Sequence, residues 1–219
     1  MFHHNLTSKL RDTLSQAYFL GGSPCSGKST IAEALISQFG FQYYKVDDHD
    51  RAHLARCRPD RHPTMTRIKG MSWNQIWSRP VPVLVADELA YYQEEFEMIL
   101  ADLEAFAPHP PVLLEGAALL PELIAGLPVD PKRILYLVPT EPFQLHHYSQ
   151  RPWIQHILKD CDDPDQAFRN WMQRDHQFGQ EIFRQAESRG FRTIVVDGEM
   201  NLNEMVEQVS IFFNLVQPG

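Results

Sequence analysis

The stretch Gly22-Ser23-Pro24-Cys25-Ser26-Gly27-Lys28-Ser29 carries the strongest chemical signal in this chain. It matches the phosphate-loop spacing GxxxxGK[ST] at every defined position. Gly22 and Gly27 let backbone N–H groups turn inward around an anion without Cβ interference. Lys28 would set a cation against the β- and γ-phosphates of a nucleotide, and Ser29 would offer a hydroxyl to Mg²⁺. The following helix, which contains Thr30, would aim its N-terminus at the phosphates. Residues 22–30 are therefore the expected nucleotide segment, with ATP and Mg²⁺ as cofactors. No NKxD base-reading motif accompanies it, which disfavours a GTPase.

A phosphoryl transferase needs a carboxylate to hold Mg²⁺, and often another to accept the proton of the acceptor hydroxyl. In an open α/β sheet both belong at carboxyl ends of strands. Two places qualify: Asp47, Asp48 and Asp50 after the second strand-like run, and Glu115 after the third. Asp is also a common helix N-cap, but three acids at one strand end exceed capping needs. Leu113, Leu114 and Ala117 make the setting of Glu115 apolar, and a buried carboxylate needs a partner or a metal. Asp48, Asp47 and Glu115 all stay open as base or Mg²⁺ ligand, with Ser29 and Asp47 as the first metal pair. Asp47, His49, Asp50 and Arg51 are expected around the acceptor, His49 as a substrate contact or an orienter of Asp48. His49 and His53, four apart on a helix, could share a metal, but spacing supplies no third ligand.

Guanidinium groups stabilise a migrating phosphoryl group. Arg151, in the break after the fourth strand's helix, is the first choice for an arginine on a closing lid. Arg174 flanks an apolar stripe formed by Phe168, Trp171, Phe178 and Ile182, and is the candidate assistant. Asp175 falls within that stripe and must find a partner, for which an arginine is suited. Residues 51–82 hold seven basic side chains against one acid, Asp60. They would either bind an anionic acceptor or neutralise the next helix, which carries Asp87, Glu88, Glu94, Glu95, Glu97, Asp102 and Glu104 and no base. Trp73 and Trp77 favour packing over base stacking.

These residues need a scaffold, and the alternation of short apolar runs with helical patterns predicts a parallel α/β sheet. Strands are expected at Ala17 to Leu20, Phe41 to Val46, Val112 to Leu114, Arg133 to Val138 and Arg192 to Val196. Helices are expected at Ser29 to Phe39, Ala86 to Phe106, Glu141 to Tyr148, Asp165 to Ser188 and Asn201 to Leu215, with an irregular stretch from Arg51 to Pro82. Leu89, Tyr92, Phe96, Ile99, Leu103 and Phe106 repeat at the helical period and mark a buried face. The 219 residues suit one domain, with residues 50–82 as a substrate-binding insert and 149–165 as a lid-like segment. A hydrophobic fraction of 43% excludes disorder as the dominant state, and a net charge of −8 argues against a nucleic-acid partner. Three scattered cysteines indicate neither a disulfide framework nor a structural zinc site. No membrane-span or signal-peptide pattern is read, so a cytoplasmic protein is expected.

With these motifs in place, the chain resembles the P-loop kinases of the nucleoside, shikimate and adenylate kinase superfamily. The resemblance runs from Ala17 to the last helix and extends to a group of uncharacterised bacterial kinase-like proteins. It implies a three-layer αβα sandwich around a five-stranded parallel sheet in order 2-3-1-4-5. It also implies an acceptor-binding acid after strand two, where Asp47-Asp48-His49-Asp50 stands. Leu114-Glu115-Gly116 resembles the Glu-Gly strand end of uridine kinase-like enzymes, whereas the glycine triplet of shikimate kinases is missing. An ATP-dependent kinase that transfers the γ-phosphoryl group to the hydroxyl or phosphate of a small molecule, anionic ones included, is the leading expectation. A regulatory NTPase with a protein partner is the alternative, and a nucleic-acid end kinase a weaker third. Acceptor, base preference and oligomeric state are not legible.

Overall fold

The structure is a computed structural model and describes residues 6–215; the outermost residues of the 1–219 span lie outside it. Its elements are α1 (Ser8–Gln16), β1 (Tyr18–Gly22), α2 (Lys28–Phe39) and β2 (Gln42–Lys45), then a 3-10 turn (Val46–His49). The short helices α3 (Asp50–Arg56), α4 (Pro63–Lys69) and α5 (Trp73–Trp77) lead into the long α6 (Val81–Leu103). There follow β3 (Val112–Glu115), α7 (Pro121–Ile124), β4 (Ile134–Pro139), α8 (Glu141–Ser149) and α9 (Pro152–Leu158). The long α10 (Pro164–Ser188), β5 (Arg192–Val196) and α11 (Leu202–Phe212) complete the chain.

All five strands are parallel, in the order β2-β3-β1-β4-β5. Side chains alternate across the sheet, so each strand feeds two cores. Phe19, Leu114, Ile134 and Tyr136 pack with Leu14 of α1, Phe96, Ile99 and Leu103 of α6, and Phe178 and Ile182 of α10. Leu20, Leu113, Leu135 and Leu137 face the other way, onto Ile31 and Leu35 of α2 and Met205 and Val209 of α11. The helical stripe expected on α6 is the one that lies on the sheet: Leu89, Tyr92 and Phe106 join it as partly buried residues. Gly40 ends α2 in the left-handed conformation and donates its N–H to Ile36. No helix among the described residues is long and apolar enough to cross a membrane.

The stretch expected to be irregular, Arg51 to Pro82, is helical. α3, α4 and α5 are five to seven residues long, too short for a 3.6-residue period to register in sequence. Local chemistry starts the later two: Pro63 opens α4, and Ser72 with Gln75 closes a capping box on α5. α9, seven residues within the segment expected as a lid, is likewise too short to show a period. A third, smaller core joins these segments. In it Trp77 stacks on Trp171 at 4.4 Å, beside Tyr148, Ile154 and Leu158.

Candidate active site

β1 delivers the glycine-rich loop to the carboxyl end of the sheet. Gly22 has φ 129°, and a Cβ there would collide with the Leu137 backbone of β4. Gly27 takes φ 81° at the N-terminus of α2, which has no side-chain cap, so its first N–H groups stay free for an anion. Cys25 also holds a positive φ, 64°. The Ser23 hydroxyl donates to the Asp175 backbone carbonyl at 3.2 Å, tying the loop to α10.

Lys28 is buried, and its Nζ donates to the Ser23 carbonyl at 2.7 Å and Ser26 Oγ at 3.4 Å. Burial lowers its ammonium pKa, while Glu115 and Asp47 oppose that shift. Glu115 is 1% exposed and pairs in register with Lys45 of β2 and Leu20 of β1. Its Oε2 accepts from Ser29 Oγ at 3.1 Å and from Tyr43 Oη at 3.3 Å. Burial raises the Glu115 carboxyl, with Lys28 as the strongest opposing influence. The structure thus brings Lys28, Ser29 and Glu115 together, with Asp47 close enough to act electrostatically on both charged groups. A hydroxyl hydrogen-bonded to a buried carboxylate is a hard oxygen donor set of the kind Mg²⁺ takes.

Asp47 and Asp48 are exposed on the 3-10 turn, and Arg51 is exposed at the start of α3. Asp50 accepts from Tyr91 Oη at 2.5 Å. His49 does not turn toward Asp48: it stacks on Tyr44 at 4.4 Å and places Nδ1 3.6 Å from Asp102 of α6. Arg151 stands beside the loop, 4.9 Å over the Tyr148 ring, with a guanidinium nitrogen 3.6 Å from Cys25 Sγ. Arg174 is not a free guanidinium. It pairs with Glu88 and with Asp175 and lies 5.0 Å over the Trp77 ring. Asp175 thereby finds the arginine its place in the stripe required, and Tyr148 Oη donates to its carboxylate at 2.7 Å.

Two cavities open near these elements, and loop residues line only the first. One, about 360 Å³, is lined by Gly27, Thr30, Phe143, His147, Arg151 and Met200. The other, about 640 Å³, lies between the α3–α5 segment, α6 and α10, with Asp50, Trp73, Trp77, Arg79, Tyr91 and Arg174 in its wall. Trp77 Nε1 is buried with no hydrogen-bond partner among the described residues.

The basic stretch resolves as counter-charge for α6. Arg67 and Arg79 share Asp87, Arg56 pairs with Asp102, and Arg61 with His62 engages Glu97. Arg58 is paired within its own loop, to Asp60. Of the seven basic side chains, four are held by acids of α6 and one by Asp60. Sequence reasoning missed Tyr43, Tyr91 and Tyr148, the hydroxyls that orient Glu115, Asp50 and Asp175. They meet their partners only through strand register and helix packing, so no local signal marks them.

No family model matches the chain. Over 158 residues it is 28% identical to adenylate kinase 9 of Mus musculus, a match covering 65% of this chain and 8% of that protein. Among solved structures it is similar to shikimate kinase from Acinetobacter baumannii in complex with shikimate, at 16% identity over 96% of this chain and 100% of that one, TM-score 0.45. It is also similar to NadR in complex with NR, at 13% identity over 96% of this chain and 55% of that one, TM-score 0.44. The parallel order 2-3-1-4-5 and the glycine loop at the end of the central strand complete the comparison. The sheet order and the loop by themselves mark a P-loop α/β fold. The chain spans less than a tenth of the curated relative it matches.

Proposed function

We propose that this chain is an ATP-dependent phosphotransferase whose acceptor is a small molecule held in the 640 Å³ cavity. The observation that carries this reading is the junction between cavity and loop. Arg174 in the cavity wall pairs with Asp175, whose backbone carbonyl accepts the hydroxyl of loop residue Ser23. A regulatory switch needs no acceptor cavity coupled to its phosphate loop through a shared helix.

In this reading the backbone of residues 22–30 wraps the phosphates, and Lys28 leaves its loop carbonyl for the β- and γ-oxygens. Ser29 and Glu115, with Asp47 nearby, would hold Mg²⁺, which when bound neutralises charge on the phosphates. Glu115 is thereby assigned to the metal side, because it already accepts the Ser29 hydroxyl. Asp48 or Asp50 then takes the proton of the acceptor hydroxyl, and Asp50 is the one that lines the cavity. Arg151 covers the migrating phosphoryl group from the 149–165 lid, while Arg174, matched by Glu88 and Asp175, shapes the cavity wall as a positioning residue. Residues 50–82 serve as the acceptor-binding insert, with Trp73, Trp77 and Arg79 in the cavity wall. The 360 Å³ cavity, with Phe143 and His147, receives the base.

Thermal shift with Mg-ATP and a panel of sugars, nucleosides, nucleotides and organic acids tests this, followed by ADP release with each stabilising compound. An acceptor that raises Tm and stimulates ADP release is expected. Absence of any magnesium–nucleotide binding by calorimetry would overturn the nucleotide assignment. Partner-dependent hydrolysis without an acceptor would overturn the transferase assignment.

A further inference from the structure

We propose that His49, His53 and Asp102 form a binding site for a divalent transition-metal cation, zinc above all, which ties the acidic turn to the end of α6. The site is separate from the Mg²⁺–nucleotide centre and does not depend on the phosphotransferase reading.

The three side chains come from three elements. His49 ends the 3-10 turn, His53 sits on α3, and Asp102 lies in the last turn of α6. Each offers one ligand atom, and these atoms all lie within 4.8 Å of one another. His53 Nε2 is 2.9 Å, and His49 Nδ1 3.6 Å, from the same oxygen, Asp102 Oδ2. Ligands about 2.0–2.1 Å from a tetrahedral zinc stand about 3.3 Å apart, so the two separations bracket the required one. Two imidazoles and one carboxylate favour zinc, cobalt, nickel or copper over the oxygen-seeking Mg²⁺ and Ca²⁺.

The surroundings are built as metal-bound histidines need. His53 Nδ1 faces Glu95 Oε1 at 2.7 Å, and both side chains are buried. Nε2 donates to Asp102 Oδ2 in the metal-free chain, and a metal would take the place of that proton, while Glu95 keeps the proton on Nδ1 and so fixes the tautomer. Arg56 holds the second Asp102 oxygen, Oδ1, at 2.9 Å, and Tyr44 Oη donates to Oδ2 at 3.0 Å. The Tyr44 ring also fixes the plane of His49 by stacking on it. His49 is 39% exposed, which gives a cation access from solvent. A metal there would lock the turn bearing Asp47, Asp48 and Asp50 against α6.

The test uses the full chain, stripped with chelator and held in excess Mg²⁺, then titrated with ZnCl₂ and CoCl₂ by calorimetry and absorption. One equivalent of zinc, a zinc-dependent rise in Tm and a visible cobalt band are expected. His49→Ala removes an exposed ligand without opening the core. Its metal-free Tm should match wild type while zinc affinity falls at least about 10-fold. Asp102→Asn should weaken zinc binding likewise, and His156→Ala, an exposed histidine on α9, should leave it unchanged. The proposal is overturned by absence of stoichiometric zinc binding, or by zinc binding that His49→Ala leaves intact.

Discussion

Around Lys28 and Glu115 opposite charges are buried and each is hydrogen-bonded to neutral groups, whereas between the α3–α5 segment and α6 opposite charges close directly on one another. Lys28 donates to a carbonyl and a hydroxyl, and Glu115 accepts from two hydroxyls. Across the other region, Asp87 takes both Arg67 and Arg79, and Asp102 takes Arg56. A carbonyl or hydroxyl is readily exchanged for a phosphate oxygen or a cation, because the ligand brings a stronger partner. An arginine–carboxylate pair is already matched in charge, although Asp102 keeps a second oxygen that faces two histidines. Charge density alone therefore misleads: the region with the most basic residues is the adhesive one, and the region with a single lysine is the responsive one.

The sharpest way to break this comparison is Lys28→Ala. It should lower Mg-ATP affinity by about 100-fold or more, since charge-assisted hydrogen bonds contribute about 1.5–3 kcal/mol each, while Tm stays close to wild type. Calorimetry and a melting curve check both halves, and an unchanged affinity would place the responsive region elsewhere. Glu115→Gln should come next. It keeps the Ser29 contact but loses the charge, so Mg²⁺ dependence of nucleotide binding should weaken by about 10-fold or more. A magnesium titration at fixed nucleotide reads this, and no change would move the metal ligand to Asp47.

The adhesive region should respond in stability and not in nucleotide affinity. Burial alone would raise the Asp87 carboxyl, but Arg67 and Arg79 hydrogen-bond it and hold it below the usual carboxylate range. A carboxyl whose folded pKa is lowered stabilises the fold fully above its unfolded value of about 4, and that contribution is lost as pH falls through the folded value. Asp87→Asn should cost about 1 kcal/mol at pH 7 and flatten the acid limb of a Tm-versus-pH curve. A limb identical to wild type would deny the pair its role. The smallest effect is expected from Arg61→Ala. Its side chain is 56% exposed, so the loss should stay below about 0.5 kcal/mol and shrink further in salt. A larger loss in urea unfolding would show that even the rim of this interface is strongly coupled.

Much of this was legible beforehand because it is local. The loop of residues 22–29 announces itself through glycines whose φ values other residues tolerate poorly. The stripes on α6 and α10 are long enough for helical period to emerge, and Asp175 within one of them demanded the partner it has in Arg174. The burial of Glu115 was legible from its apolar neighbours. What was not legible lies in short or distant features. The α3–α5 segment carries too few turns to show a period. The pairing of Arg67 with Asp87, of Tyr43 with Glu115 and of His53 with Asp102 joins residues far apart in sequence.

The amino-acid sequence by itself determined the phosphate loop, the parallel alternation of strands and helices, and the strand-end acids. Each depends on backbone conformation or burial within a few consecutive residues. Only the tertiary structure decided which charges are consumed and which stay available, that His49 turns to α6, and that Asp102 completes a set with two histidines. Those outcomes depend on how α3 and α6 dock, a packing geometry that no stretch of adjacent residues encodes.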